Sequence, residues 1–227
     1  VTAIFVTGTG TDIGKTFVAA GLIHHWRAHG KTVEALKPVV TGFDPASAVT
    51  SDPGVLLHAL GRPGAVKMEE IASIAPWRFH APLSPDMAAR REGRRIDFEE
   101  LVQFCRDAIE AGRGVLLIEG AGGVMVPLDD SHTVLDWIEA LGLPALLVAG
   151  SYLGTLSHTL TCLDALARRK IEVAGVVVNE SAGSPVPLEE TAATVARFAG
   201  TAKVIALPRL ADGHADHPAF ARIAARL

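Results

Sequence analysis

Short apolar runs alternate along the chain with stretches in which apolar residues recur every three or four positions. The runs at 3–7, 32–36, 115–118, 145–149, 173–178 and 203–206 predict strands. The periodic stretches at 14–29, 53–60, 85–92, 97–111, 133–141, 154–169, 188–199 and 217–226 predict helices. Ser84-Pro85 puts proline at a first helical position, and Asp97 stands ahead of Phe98-Glu99-Glu100; both are start signals. Val115-Leu116-Leu117-Ile118 and Ala145-Leu146-Leu147-Val148-Ala149 are apolar without interruption, as in strands covered on both faces. This alternation predicts an α/β fold: a mostly parallel sheet flanked by helices on both faces, in one domain spanning 1–227. The segment 38–52, rich in Pro, Gly, Ser, Thr and Asp, is expected to be a long loop that orders around a ligand.

Composition narrows the partners. A net charge of −4 argues against long nucleic acid or an anionic membrane surface as a partner, while leaving small anions open. Cys105 and Cys162, each inside a helical pattern, read as packed thiols in a reducing compartment rather than a disulfide. The chain enters a strand at once, and no apolar run approaches the length that spans a bilayer, so a cytoplasmic protein is expected.

In parallel sheets ligands sit beyond the carboxyl ends of the strands, so the strand ends carry the chemistry. After Ala3-Ile4-Phe5-Val6 comes Gly8-Thr9-Gly10-Thr11-Asp12-Ile13-Gly14-Lys15-Thr16, with five residues between Gly8 and Gly14. A glycine-rich turn between a strand and a helix directs backbone N–H groups at a polyphosphate; Lys15 reaches its β- and γ-phosphates and the Thr16 hydroxyl is a Mg²⁺ ligand. The positive end of the following helix adds to the same anion site. Asp12 reads as a turn former or a direct ligand contact. Only six lysines stand against fifteen arginines, and Lys15 and Lys37 both close strands on this side. Pro38 gives Lys37 a fixed exit from its strand. Glu119 closes an apolar strand as the acidic residue of a Walker B strand does, and is a candidate to hold Mg²⁺ with Thr16, with the following glycines keeping the site open. Asp52 is either a second carboxylate for the metal or a helix N-cap.

Taken in order, the P-loop, Leu36-Lys37-Pro38-Val39 with Thr41-Gly42, Ser51-Asp52, Pro82-Leu83-Ser84-Pro85, Ile118-Glu119-Gly120-Ala121-Gly122-Gly123 and Val178-Asn179 resemble dethiobiotin synthase over residues 2 to about 210. The five-residue gap in the P-loop is itself typical of that family. The resemblance implies conversion of 7,8-diaminononanoate, CO₂ and MgATP to dethiobiotin, ADP and phosphate, in a homodimer. One amine would take up CO₂ as a carbamate, a carbamate oxygen would attack the γ-phosphate, and the second amine would displace phosphate while closing the cyclic urea. Such chemistry needs positioning and charge stabilisation rather than a protein nucleophile. The resemblance makes Lys15, Lys37 and Thr41 catalytic. It assigns the nucleotide to Thr11, Asp12, Gly14, Lys15, Thr16, Glu119, Gly122, Asn179 (the adenine edge), Pro208, Arg209 and Leu210. Mg²⁺ falls to Thr16, Asp52 and Glu119, and the diamine and its carboxylate to Thr11, Lys37, Thr41, Gly154 and Thr155. Asp12 stands where glutamate is usual, Tyr152 where some members have lysine, and Asp86 where histidine is common.

Other features are read as structural. His24, His25, His29, His214 and His217 lack the spacing of a metal site, and Arg90-Arg91-Glu92-Gly93-Arg94-Arg95 reads as a solvated helix end and turn. Trp26, Trp77 and Trp137 read as packing residues. The alternative class is a partition or septum-positioning P-loop ATPase switch. Members of that class carry a lysine early in the P-loop, where this chain has Thr9, Gly10 and Thr11. An amide-forming ligase of the cobyrinate type would need a glutaminase domain for which 227 residues leave no room.

Overall fold

Burial on both faces turns the continuous apolar runs into the centre of the molecule. The computed structural model describes residues 2–62, 67–210 and 217–227. Its main sheet is built from β1 (Thr2–Gly8), β2 (Val33–Leu36), β5 (Val115–Glu119), β6 (Ala145–Gly150), β7 (Val173–Asn179) and β8 (Val204–Leu207), in the order β2-β5-β1-β6-β7-β8. Every pairing in it is parallel, with Val6 opposite Glu119 on one side and Gly8 opposite Val148 on the other. From central β1 the chain first builds outward through β2 and β5, then crosses to β6, β7 and β8. That reversal opens a crevice at the carboxyl ends of β5, β1 and β6, where ligands bind in such sheets.

The flanking helices include α1 (Lys15–Ala28), α5 (Phe98–Ala111), α6 (Val134–Leu141), α7 (Thr155–Arg168), α8 (Leu188–Phe198) and α9 (Pro218–Ala224). Their starts follow local chemistry. Asp97 accepts from the N–H groups of Glu99 and Glu100, and Thr133 and Asp136 form a reciprocal capping box. Trp137 of α6 meets Phe5 of β1 edge-on with ring centroids 4.9 Å apart, joining helix layer to sheet. Gly21 of α1 is where α9 comes closest: a Cβ there would lie 2.1 Å from the Phe220 ring. Cys105 is buried and Cys162 half-buried, both free; burial pushes their thiols up to about 12 and about 11. They are packed and unreactive.

Between β2 and β5 the structure departs from expectation. Residues 38–52, read as a long loop, hold β3 (Val39–Thr41) and a 3₁₀ helix (Pro45–Thr50) before α2 (Asp52–Ala59). β3 pairs in parallel with β4 (Trp77–Phe79) as a second, two-stranded sheet, with α3 (Met68–Ile74) between them and α4 (Pro85–Arg91) after. Three-residue strands have too little periodicity to read from sequence. They exist because Val39, Val40 and Phe79 are buried and each strand completes the other. Among the described residues, no helix is long and apolar enough to cross a membrane.

Arg90 to Arg95 form the expected helix end and turn, with Glu92 capping α4 and Gly93 at φ 62°. Arg94 lies over the Phe79 ring at 4.5 Å, so one arginine of this run serves packing as well as solvation. His214 lies outside the described residues. The His25 and His29 rings meet at a tilt, centroids 4.4 Å apart, near the end of α1, and His217 caps α9.

Candidate active site

The loop after β1 turns sharply because Asp12 (φ 57°) and Gly14 (φ 93°) both adopt left-handed backbone. Aspartate tolerates that region better than most residues, which settles its turn-forming role. The turn delivers Lys15 and Thr16 to the first turn of α1. Lys15 is 6% exposed and its ammonium donates to the Gly10 carbonyl at 2.7 Å, folding the side chain back along the loop. Burial pushes its pKa down to about 8; the Lys37 charge acts in the same direction, while Glu119, Asp52 and Asp12 oppose it.

Lys37, just past the end of β2, is 3% exposed. Its ammonium donates to Glu119 Oε1 at 2.6 Å and the Gly120 carbonyl at 3.0 Å, and pairs with Asp52 Oδ2 at 2.9 Å. Burial by itself lowers its pKa, but Glu119 and then Asp52 outweigh that and raise it above the ordinary lysine value. Burial likewise works to raise Asp52, yet Lys37 holds its carboxyl below the usual range. Asp52 does not cap α2: Ser51 does, accepting from the Gly54 N–H at 3.4 Å. That frees the Asp52 carboxylate, at the first helical position, to face the site. Of the two sequence readings of Asp52, the site carboxylate is the one its geometry supports.

Thr16 closes the cluster by donating to Glu119 Oε1 at 2.7 Å across 103 positions of sequence. Glu119 is 1% exposed, and its second oxygen, Oε2, is buried without a partner. A carboxylate oxygen so placed, beside one hydroxyl and a second carboxylate, is the kind of hard donor set Mg²⁺ uses with phosphate and water completing the shell. Thr16, Asp52 and Glu119 therefore fit the metal.

These groups open onto a cavity of about 830 Å³. Thr11, Asp12, Gly14, Lys15, Thr16, Lys37, Thr41, Asp52, Glu119 and Gly122 all line it, together with Val126 and the Pro82–Pro85 segment. Sequence reading missed the apolar share of the wall: Val39, Val40, Phe43 and Val126. Their signal was only the short β3 and the turn after Gly123. Ser84 Oγ donates to Asp86 at 2.5 Å, which directs that carboxylate to the loop's own hydroxyl.

The remaining expected site residues lie elsewhere. Asn179 bonds the Ile13 carbonyl at the outer side of the P-loop, and Arg209 N–H donates to Glu180 at 2.8 Å, holding Pro208–Leu210 beside the end of β7. None of these lines the cavity. Gly154 and Thr155 are also outside it. Gly154 (φ 97°) turns the chain into α7, and the buried Thr155 hydroxyl donates to the Gly150 carbonyl at 2.7 Å, so within one chain it is spent on its own loop. Next to them Leu153 is 85% exposed.

A family model described as an AAA domain matches residues 2–215. An ATP-dependent dethiobiotin synthetase from Acidiphilium cryptum is 54% identical over 196 residues, which cover 86% of this chain and 87% of the relative. One from a Caulobacter species is 52% identical over 208 residues, covering 91% of this chain and 88% of the relative. Among solved structures, the septum site-determining protein MinD of Pyrococcus horikoshii, complexed with Mg-ADP, aligns at a TM-score of 0.56 and 17% identity over 98% of this chain and 94% of its own. The MinC:MinD complex of Aquifex aeolicus gives a TM-score of 0.58 at 13% identity, covering 100% of this chain and 93% of that one. At such identities the likeness concerns the fold alone.

Proposed function

The chain belongs to the ATP-dependent dethiobiotin synthetase family, and on that premise we propose the reaction it performs and the residues that perform it. It is an ATP-dependent cyclo-ligase of biotin synthesis, working as one catalytic domain over 1–227. Its substrates are 7,8-diaminononanoate, CO₂ and ATP. The observation that carries this reading is the meeting of Lys15, Thr16, Lys37 and Glu119, drawn from three strand ends, with Asp52, from the start of α2, in one cavity.

Mechanism follows from what each group can do. One amine of the diamine adds to CO₂ and loses a proton, giving a carbamate anion. Lys37 favours that anion and disfavours a neighbouring substrate ammonium; at about 4 Å and an effective dielectric near 20 one such charge is worth roughly 4 kcal/mol before desolvation. Lys37 turns from its carboxylate partners to meet the carbamate when substrates enter. Thr41, at the end of β3 and on the cavity wall, would hydrogen-bond the reacting nitrogen or carbamate oxygen. Lys15 leaves the Gly10 carbonyl for the γ-phosphoryl group and stabilises the charge spread over its oxygens as the carbamate attacks. The second amine then attacks the carbamoyl carbon, phosphate departs, and the urea ring closes without a covalent enzyme intermediate. Thr16, Asp52 and Glu119 would hold Mg²⁺, which when bound neutralises charge on the β- and γ-phosphates.

Thr11, Asp12, Gly14 and Gly122 are proposed to line the nucleotide's phosphates, and Asn179 with Pro208, Arg209 and Leu210 to flank its base. Gly154 and Thr155 are proposed to receive the substrate carboxylate of a partner subunit in a cytoplasmic homodimer, through the N–H groups of the first turn of α7; the Thr155 N–H, which donates to the Tyr152 carbonyl at 3.1 Å, would have to be released for it.

The test is product formation from the diamine, MgATP and ¹³C-labelled bicarbonate, followed by mass, with phosphate release measured in parallel and each component omitted in turn. A labelled cyclic urea with one phosphate per product is expected. ATP hydrolysis indifferent to the diamine, with no labelled urea, would overturn the proposal in favour of a partner-dependent switch.

A further inference from the structure

Asn179 ends β7, and its side chain leaves the sheet toward the loop after β1. The Nδ2 group donates to the Ile13 carbonyl at 3.0 Å. Only the amide's NH₂ half can face a carbonyl, since its oxygen there would oppose another oxygen. The following residue, Gly14, has φ 93°, and a Cβ on it would lie 2.3 Å from the same nitrogen. One carboxamide thus ties down the turn and fills the space over it, and the next residue in the chain is Lys15.

The segment carrying Asn179 is anchored from behind. Ser181 N–H donates to Ser151 Oγ at 2.9 Å, Ser151 N–H returns the bond to Ser181 Oγ at 3.0 Å, and Ser184 Oγ donates to the Ser151 carbonyl at 2.6 Å. These bonds lock the end of β7 to the end of β6. A brace fixed at one end can hold the other, and none of these residues lines the cavity.

We propose that Asn179 is a positioning residue for Lys15: it holds the Ile13–Gly14 turn in the shape that presents Lys15 and the loop's N–H groups to a polyphosphate, whatever base is attached. The proposal rests on the reading of this loop as the seat of the ATP phosphates. It leaves one amide hydrogen and Oδ1 free, so contact with a base is compatible with it. The brace acts on phosphate affinity, whereas a base contact acts only when a base is present.

That difference is measurable with inorganic tripolyphosphate, which has no base. Affinities of the whole protein for ATP and for tripolyphosphate, each with Mg²⁺, are compared by calorimetry in the wild type, Asn179→Ala, Asn179→Ser and Ser181→Ala, well below their unfolding temperatures. Losing one hydrogen bond and its ordering of the turn is expected to weaken both ligands together by about ten-fold in the two Asn179 variants. Ser181→Ala, outside the cavity lining, is expected to weaken both by a smaller common factor. If the Asn179 variants lose ATP affinity but bind tripolyphosphate as the wild type does, or merely unfold at lower temperature with both affinities intact, the brace is overturned. A wild type that binds neither ligand would instead overturn the phosphate-site reading on which the brace depends.

Discussion

The two ends of the proposed substrate path are built in opposite ways. At the phosphate end, Lys37, Glu119, Thr16 and Asp52 come from separate parts of the chain and satisfy one another at 2.6–2.9 Å, with Lys37 and Glu119 buried and Thr16 and Asp52 half-buried at the cavity. At the opening of α7, Gly154 and Thr155 do not line the cavity, Thr155 bonds its own loop, and Leu153 stands 85% exposed. The first end is complete in one chain; the second exposes apolar surface where polar capture is expected. Charges that must act in a low-dielectric site have to be paired before the ligand comes, because an unpaired buried charge is too costly. A carboxylate tail that needs only N–H groups imposes no such demand, so in the proposed homodimer its site can be left for the second subunit to complete.

The comparison breaks most severely at Lys37. Lys37→Met removes the cation proposed to face the carbamate, and kcat is expected to fall by about 10³-fold, in line with losing one preorganised charge-stabilising group. It also strands Glu119 beside Asp52, so unfolding is expected to become easier by about 3 kcal/mol, checked by denaturant titration. A variant as active as the wild type would remove Lys37 from the chemistry.

At the other end, Leu153→Asp should leave the phosphate end untouched while setting like charges against each other in a symmetric contact. Sedimentation is expected to show a dimer reduced to monomer, with KM for the diamine raised at least ten-fold and KM for ATP little changed. Unchanged assembly and kinetics would mean that the opening of α7 serves no partner.

The smallest effect sharpens the phosphate end. Lys15 titrates near 8 in the free protein because it is buried, and a polyphosphate beside it favours the charged form. Between pH 8 and 10 nucleotide binding should therefore take up a fraction of a proton, with affinity falling as pH rises. Calorimetry in buffers of different ionisation enthalpy reads that uptake directly. The linkage for folding has the opposite sign: the unfolded chain binds the proton more tightly, so this group's contribution to stability rises with pH from about 8 to 10.5. Absence of proton uptake would place Lys15 away from the phosphates.

Most main-sheet strands were legible because burial on both faces leaves unbroken apolar runs, although β2 carries the exposed Glu34, and Glu119 and Lys37 were legible because each ends or follows an apolar strand. β3, β4, α3 and the 3₁₀ helix were not, since three to seven residues give periodicity no room and their pairing is with distant neighbours. The role of Asp52 lay between the two. Sequence placed it at a helix start, and only the capping of α2 by Ser51 released its carboxylate toward Lys37.

The order of residues by itself determined the α/β alternation, the phosphate loop, its lysine and hydroxyl, and the family, because these depend on local periodicity and contiguous motifs. Tertiary structure alone decided that Lys37 is shared by two carboxylates, that Glu119 keeps one oxygen unpartnered, that Asn179 reaches the turn before Lys15, and that Gly154 and Thr155 do not line the cavity. The physical reason is range: hydrogen bonds and ion pairs act over about 3 Å, and which groups come that close across 82 to 166 positions of chain is settled only when the sheet has formed.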